Sequence, residues 1–437
     1  MQVFPVSFVG LTATDDKGAF LGRDVQVSLG EARNGQRDAK AHRLAVIGAD
    51  PLDIVGRITI AVLGNAFDGL FHCIEPEKKR ARERRHSCHV LSSESDDKRR
   101  DPSGIPPRSP DMVQPVNGFK KDISMAERQK IIIDTDPGQD DAVAILLALA
   151  ARELEVLGIC AVAGNVPLHL TELNARKVCE LAGKSETKVF KGAVRPLLRQ
   201  LVTAEEVHGK TGLDGPDLPE PKMALQTGHA VDFIIETLMT ETPGTVTLAT
   251  LGPLTNIALA LNREPRIAPR IKQIVMMGGG YFEQGNVTPS AEFNIYVDPH
   301  AADVVFRSHV PIVMMPLDVT HKALTTQARV DRIRALGTPV GKATAELLDF
   351  FERFDEAKYG TDGGPLHDPC VIAWLLKPEL FSGRHVNVTV ETMSELTMGS
   401  TVVDWWGVTD RPKNALVMRD IDHEGFFNLL TEKLALL

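Results

Sequence analysis

From Met125 to the C-terminus, short β-branched runs alternate with segments of helical period, and that alternation restricts the possible folds more than any other feature. Ile131–Asp134, Val246–Leu251, Ile271–Met277 and Val310–Met315 read as strands apolar on both faces, the mark of a mainly parallel sheet. Helical periodicity runs through Ala142–Ala151, Leu170–Ala182, Ala230–Thr240, Ile257–Leu261 and Ala301–Ser308. Longer helices are predicted from Thr325 to about Leu336 and from Ala343 to about Lys358. Such a sequence buries its apolar faces by layering helices on a sheet, so the predicted class is α/β, with ligands at the carboxyl ends of the strands.

The first 124 residues have a different character. Lys78–Arg85 holds six basic residues, and 92–110 is rich in Ser, Asp, Arg and Pro. Segments of that composition bury too little apolar surface to offset the entropy of ordering, so residues 1–124 are predicted to be a flexible extension or a non-native start region. The short apolar run Ile58–Leu63 fits a local strand or a local helix. Met125-Ala-Glu-Arg-Gln-Lys130 reads as a natural start, leaving 125–437 as the working domain. His72, Cys73, His86, Cys88 and His89 are zinc-type residues, but their spacing matches no finger pattern. The basic run suits a solvated surface better than a nucleic-acid or acidic-partner site.

Charge and cysteine usage narrow the function. A net charge of −9 disfavours bulk attraction to nucleic acid or anionic membranes. No apolar run approaches the roughly 20 residues that span a bilayer. The apolar opening Val3–Val9 lacks the basic start of a secretory signal. Five scattered cysteines, Cys73, Cys88, Cys160, Cys179 and Cys370, suggest reduced thiols in a cytoplasmic protein.

The densest chemistry lies in Asp134-Thr-Asp-Pro-Gly-Gln-Asp-Asp141. Asp134 and Asp136 close the first strand on one face, Pro137-Gly138 turns the chain, and Asp140-Asp141 open a helix. Helix capping accounts for one or two of these acids but not for four at the end of a buried strand. Crowded carboxylates raise one another's pKa unless a cation neutralises them, and hard oxygen donors favour calcium or magnesium. Three further motifs admit both a plain and a functional reading. Leu366-His-Asp-Pro-Cys370 places Asp368, predicted extended, before a helix running to about Leu376. Leu248–Asn256 is a strand end with a Gly-Pro turn whose carbonyl is free to meet a metal. Met276-Met-Gly-Gly-Gly280 precedes Asn286, Glu292 and Asn294, a neutral–acidic–neutral set suited to sugar hydroxyls.

Taken in order, Asp134–Ala142, Ala163-Gly-Asn165, His208–Leu213, Gly252–Asn256, Ala291–Ile295 and His367-Asp-Pro369 resemble the inosine–uridine-preferring nucleoside hydrolases. The resemblance covers Met125–Leu437 and implies a Rossmann-like central sheet of about eight strands flanked by helices. It implies that Asp136, Asp141, Asp368 and the Leu251 carbonyl bind Ca2+, and that Asp140, Asn165, Met277, Asn286, Glu292 and Asn294 meet the ribose. His208, Tyr359 and His367 then line the base side, and Asp134 supports the loop from behind. The implied reaction is hydrolysis of the N-glycosidic bond of ribonucleosides such as inosine, uridine and cytidine, by a homotetramer or homodimer. Asp136 is the expected general base and His367 the expected proton donor, suited to that task by the ordinary histidine pKa. Two other readings stand beside it: a D-x-D phosphotransferase, and a nucleoside- or sugar-binding protein without turnover.

Overall fold

The computed structural model describes two strands before residue 128 and then residues 128–437, apart from 360–362 and the side chains of 352 and 354–359. Ile58–Leu63, the basic run and the His/Cys group lie outside the described residues. The chain divides into two units, Met1–Ser109 and Pro110–Leu437. In the first, β1 (Val25–Ser28) pairs antiparallel with β2 (Ala41–Leu44).

The second unit follows the strand–helix alternation. β3 (Gln129–Thr135) leads into α1 (Gln139–Ala150), then β4 (Leu154–Ala161), α2 (Leu168–Leu181) and β5 (Val189–Lys191). Next come α3 (Glu205–His208), α4 (Ala230–Thr240), β6 (Val246–Thr250), α5 (Thr255–Arg263) and β7 (Ile271–Met277). α6 (Phe293–Val297), α7 (Pro299–Phe306), β8 (Ile312–Met315) and α8 (Leu317–Thr320) follow. α9 (Gln327–Arg334), α10 (Pro339–Tyr359) and α11 (Pro369–Leu376) precede β9 (Phe381–Val386), β10 (Val388–Val390) and β11 (Thr401–Val403). β12 (Ala415–Ile421) and α12 (His423–Leu434) complete the unit.

Eight strands form one sheet in the order β5-β4-β3-β6-β7-β8-β12-β9. Every pairing is parallel except β12 with β9. The α/β class and the mainly parallel eight-stranded sheet expected from the sequence are thus present. Successive isoleucines of β3 show how the layers arise. Ile131 and Ile133 pack into one core with α1, α11 and α12, whereas Ile132 points into the opposite core with α4, α5 and α7. β4, β5, β9, β12 and the β10–β11 hairpin were not among the strands named from the sequence. Ser382, Gly383 and Arg384 interrupt the apolar run in β9, which needs burial on fewer sides as an edge strand.

The strand order reverses beside β3. The chain runs outward through β4 and β5, then returns to lay β6 on the other side of β3. This is the topological switch point, where the loops after two adjacent strands diverge and leave a crevice at their carboxyl ends. Asp134 of β3 stands level with Thr250 of β6, so the acidic loop and the Leu251-Gly252-Pro253 turn flank that crevice.

Candidate active site

Asp134, the penultimate residue of β3, is fully buried, and its Oδ2 accepts a 2.8 Å hydrogen bond from Asn256 Nδ2. Burial pushes its pKa up to about 8. Asn256 also donates to Ala161 O and accepts from Ala193 N, tying the ends of β3, β4 and β5 to the first turn of α5. Of the acids in this loop, Asp140 lines the cavity, whereas Asp134, Asp136 and Asp141 lie behind its surface.

Asp136 lies one residue beyond β3 and is 1% exposed. Its Oδ2 accepts from Asn165 N at 2.7 Å, while its Oδ1 is buried without a partner. Two glycines make room for it. A Cβ on Gly164 would stand 2.0 Å from Oδ2, and one on Gly252 would stand 2.0 Å from Oδ1. The carboxylate is therefore cradled between the loops after β4 and β6.

Asp140 and Asp141 occupy the first turn of α1, capped by Gly138. Asp141 accepts from Thr135 Oγ1, Gly138 N and Asn165 Nδ2. Asp368, at the start of α11, completes a buried triplet with Asp140 and Asp141, whose carboxylate oxygens lie within 4.8 Å of one another. The expectation that Asp368 is extended does not hold: its φ of −66° and ψ of −37° are helical. The bias of a pre-proline residue is a steric preference rather than a prohibition. Its side chain makes no cap bond and turns instead toward the other acids.

Burial and mutual repulsion raise the pKa of Asp136 and Asp368 well above the usual carboxylate range, and that of Asp140 to about 8. Among the described residues, no lysine or arginine lines this cavity. A cation fits the donor set: four buried carboxylates, one with an orphaned oxygen, and no protein cation to balance them. The Leu251 carbonyl, expected to be available to a metal, accepts a 2.6 Å hydrogen bond from Asn294 Nδ2. A carbonyl oxygen has two lone pairs, so one acceptor site remains.

On the side of β7, Glu292 caps α6 and accepts from Asn294 N, Ile295 N and Gly279 N. Asn286 Oδ1 accepts from Phe293 N, which fixes the loop before α6. Asn165, Met277, Asn286, Glu292 and Asn294 all line the cavity that Asp140 and Asp368 enter, about 200 Å³ in volume.

Across the cavity lie His208, His321, His367 and Phe351. Gln139 clamps His208: its Nε2 donates to His208 O, so its Oε1 faces His208 Nδ1 at 2.7 Å, placing the ring proton on Nδ1. Burial lowers the His208 pKa to about 4. His367 Nδ1 stands 2.8 Å from Thr320 Oγ1. Burial, with His321 and His208 nearby, holds His367 well below the ordinary histidine value. The imidazole near neutrality anticipated for a proton donor is thus replaced by a neutral ring. Tyr359 ends α10 with its side chain outside the described residues; Phe351, two turns earlier, lines the cavity and stacks on His208.

The sequence analysis missed Gln139, Asn256, Thr320, His321 and the cradle role of Gly164 and Gly252. Gln139, Gly164, Gly252 and Asn256 sat inside quoted motifs, whereas Thr320 and His321 carried no signal.

An acidic pocket of about 200 Å³ with paired imidazoles at an α/β switch point fits a hydrolytic enzyme acting on polar, sugar-like substrates. The model of the inosine-uridine preferring nucleoside hydrolases matches residues 131–428. An uncharacterized protein of Schizosaccharomyces pombe is 54% identical over 70% of this chain and 98% of its own length. The pyrimidine-specific ribonucleoside hydrolase RihA of Salmonella agona is 51% identical over 70% of this chain and 97% of its own. A solved purine-preferring ribonucleoside hydrolase from Gardnerella vaginalis superposes with a TM-score of 0.66 at 34% identity, covering 70% of this chain and 98% of that one. The chain belongs to the inosine-uridine preferring nucleoside hydrolase family and is a nucleoside N-glycosyl hydrolase. The phosphotransferase reading falls with that assignment. No described helix is long and apolar enough to cross a membrane.

Proposed function

We propose that this enzyme hydrolyses ribonucleosides of the inosine, uridine and cytidine class to ribose and free base, with Ca2+ as its ion. The observation that carries the reading is the unpartnered Asp136 Oδ1, held in a two-glycine cradle beside the acidic triplet. Asp136, Asp141, Asp368 and the Leu251 carbonyl would hold the ion, and Asp140 would meet the ribose. A calcium ion held there would supply Lewis-acid polarisation and a common anchor for substrate and water. Asp136 Oδ1 accepts the proton of the attacking water. The new bond forms from that water oxygen to the anomeric carbon, and the electron pair of the C–N bond leaves with the base. Asn165, Asn286, Glu292 and Asn294, with Met277 beside them, hold the sugar as positive charge develops on its ring. His367 serves as a neutral hydrogen-bond donor in the tautomer in which Nδ1, 2.8 Å from Thr320 Oγ1, accepts the hydroxyl proton and Nε2 carries the ring proton toward the departing base.

RihA, named pyrimidine-specific, is the more similar relative at 51% identity, against 34% for the purine-preferring enzyme, which favours uridine and cytidine as best substrates. Buried free thiols at Cys160, Cys179 and Cys370 suit a reducing cytoplasm. Assembly as a homodimer or homotetramer, as the family resemblance implies, is checked by light scattering.

A reducing-sugar assay on uridine, cytidine and inosine, with and without chelator, tests the whole reading. Turnover is expected to vanish on chelation and to return with calcium. Asp136→Asn should lower kcat by at least about 10³-fold, more than a general base alone contributes at its lower limit. Nucleoside binding without ribose release would return the pocket to a binding role.

A further inference from the structure

His321 lines the cavity without belonging to the ribose or metal-ligand sets. It follows directly on α8, with its backbone N–H bonded to Leu317 O at 2.9 Å. Its ring centroid lies 5.8 Å from that of His367, tilted by 57°. The preceding residue, Thr320, provides the hydroxyl at His367 Nδ1. One short helix thus delivers two side chains to the same imidazole.

The same helix also builds a support for His321. Asp318, 4% exposed, accepts from Tyr281 N, Phe282 N and Glu283 N at 2.9, 2.9 and 3.3 Å. Leu317 N bonds to Gly279 O at the other end of this turn. Clasped in this way, the turn presents Glu283, whose Oε2 is 3.5 Å from His321 Nδ1. The circuit runs from α8 to the loop after β7 and back to α8. The His321 side chain is 24% exposed and lines the cavity.

We propose that His321, steadied by Glu283, is a positioning residue that holds the His367 ring at the angle required by the departing base. The inference rests on the nucleoside hydrolase reading given above. It makes His321 matter for natural bases, which need a donor to leave, and not for an activated leaving group.

The experiment compares uridine with p-nitrophenyl riboside, whose leaving group needs no such donor. His321→Ala should lower kcat on uridine by about 30-fold, a fraction of what a well-placed acid contributes. KM for uridine and kcat on the nitrophenyl riboside should stay within about threefold, which also establishes that the variant is folded. In a His367→Ala background the same change should cost less than about threefold, because residues acting through one another are not additive. Glu283→Gln, on a half-exposed side chain, should give a smaller loss of the same substrate-selective kind. Equal losses on both substrates, or a full 30-fold loss in the His367→Ala background, would overturn the proposal. A wild-type enzyme inactive on both substrates would instead sink the nucleoside reading itself, and this inference with it.

Discussion

At the scale of single residues, glycines shape this site as much as acids do. Gly164 and Gly252 sit against the two oxygens of Asp136, and neither is there for a left-handed backbone. The atom they leave out is what allows the carboxylate in. Gly252→Ala is expected to push Asp136 aside, costing about 1–3 kcal/mol of stability as an overpacked site and most of the turnover. Thermal unfolding and the uridine assay together check this; an alanine variant with normal kcat would refute the cradle. His208 gives a second residue-scale prediction, with a definite sign. Its pKa is lowered from 6.5 to about 4 in the folded state, so the unfolded chain binds a proton first. Its contribution to stability is complete above pH 6.5 and is lost as the pH falls toward 4, by about 3 kcal/mol at 1.4 kcal/mol per unit. Urea denaturation of wild type and His208→Gln at pH 7 and pH 4.5 should show the gap between them narrowing in acid. A constant gap would mean the ring is not held neutral. The acids of the first loop were legible because four in eight residues have no plain explanation. His321 was not legible, because a lone histidine after a short helix looks the same whether or not a cavity lies beside it.

At the scale of elements, the site depends on strand ends being held in register by side chains from helices. Asn256 does most of this. Its amide bonds at once to Asp134, Ala161 and Ala193, so a single α5 residue joins the ends of β3, β4 and β5. Asn256→Ala would leave a buried carboxyl, carbonyl and amide unsatisfied. At about 1–3 kcal/mol for each orphaned group, the expected loss is at least about 3 kcal/mol, with a clear fall in the unfolding midpoint. A shift of less than a degree would show that these ends are held some other way. The type and order of most elements could be read from period and β-branching. Some ends, such as both ends of α4 and β7, coincide with the expected ones, and others shift by one to four residues: α1 begins at Gln139 rather than Ala142, which puts Asp140 and Asp141 in its first turn, and α10 begins at Pro339 rather than Ala343. Asp368 is the sharper lesson. Its local sequence favoured an extended residue, and its place opposite two other acids in the folded chain prevailed.

At the scale of the whole molecule, the crevice exists because β6 returns to the side of β3 away from β4. No single motif encodes that return. It follows from burying alternating strands on both faces, which is why the fold class could be read early while the convergence of Asp136, Leu251 and Asp368 needed a resemblance to be anticipated. The family match begins at residue 131, and the relatives' own lengths are spanned almost completely by about 305 residues of this chain. Every side chain placed in the site falls within that match, from Asp134 to Asp368. We therefore propose that residues 1–124 are dispensable for catalysis. A chain beginning at Met125 retains β3 entire, including the Gln129 Nε2 bond to Leu375 O that anchors the strand's start to α11. Its kcat on uridine is expected to stay within about twofold of the full chain, since surface-distant changes leave independent sites unaffected. Its unfolding midpoint should move little for the same reason. A truncated chain that is insoluble, or tenfold slower with an unchanged midpoint, would mean that residues 1–124 supply something the site requires.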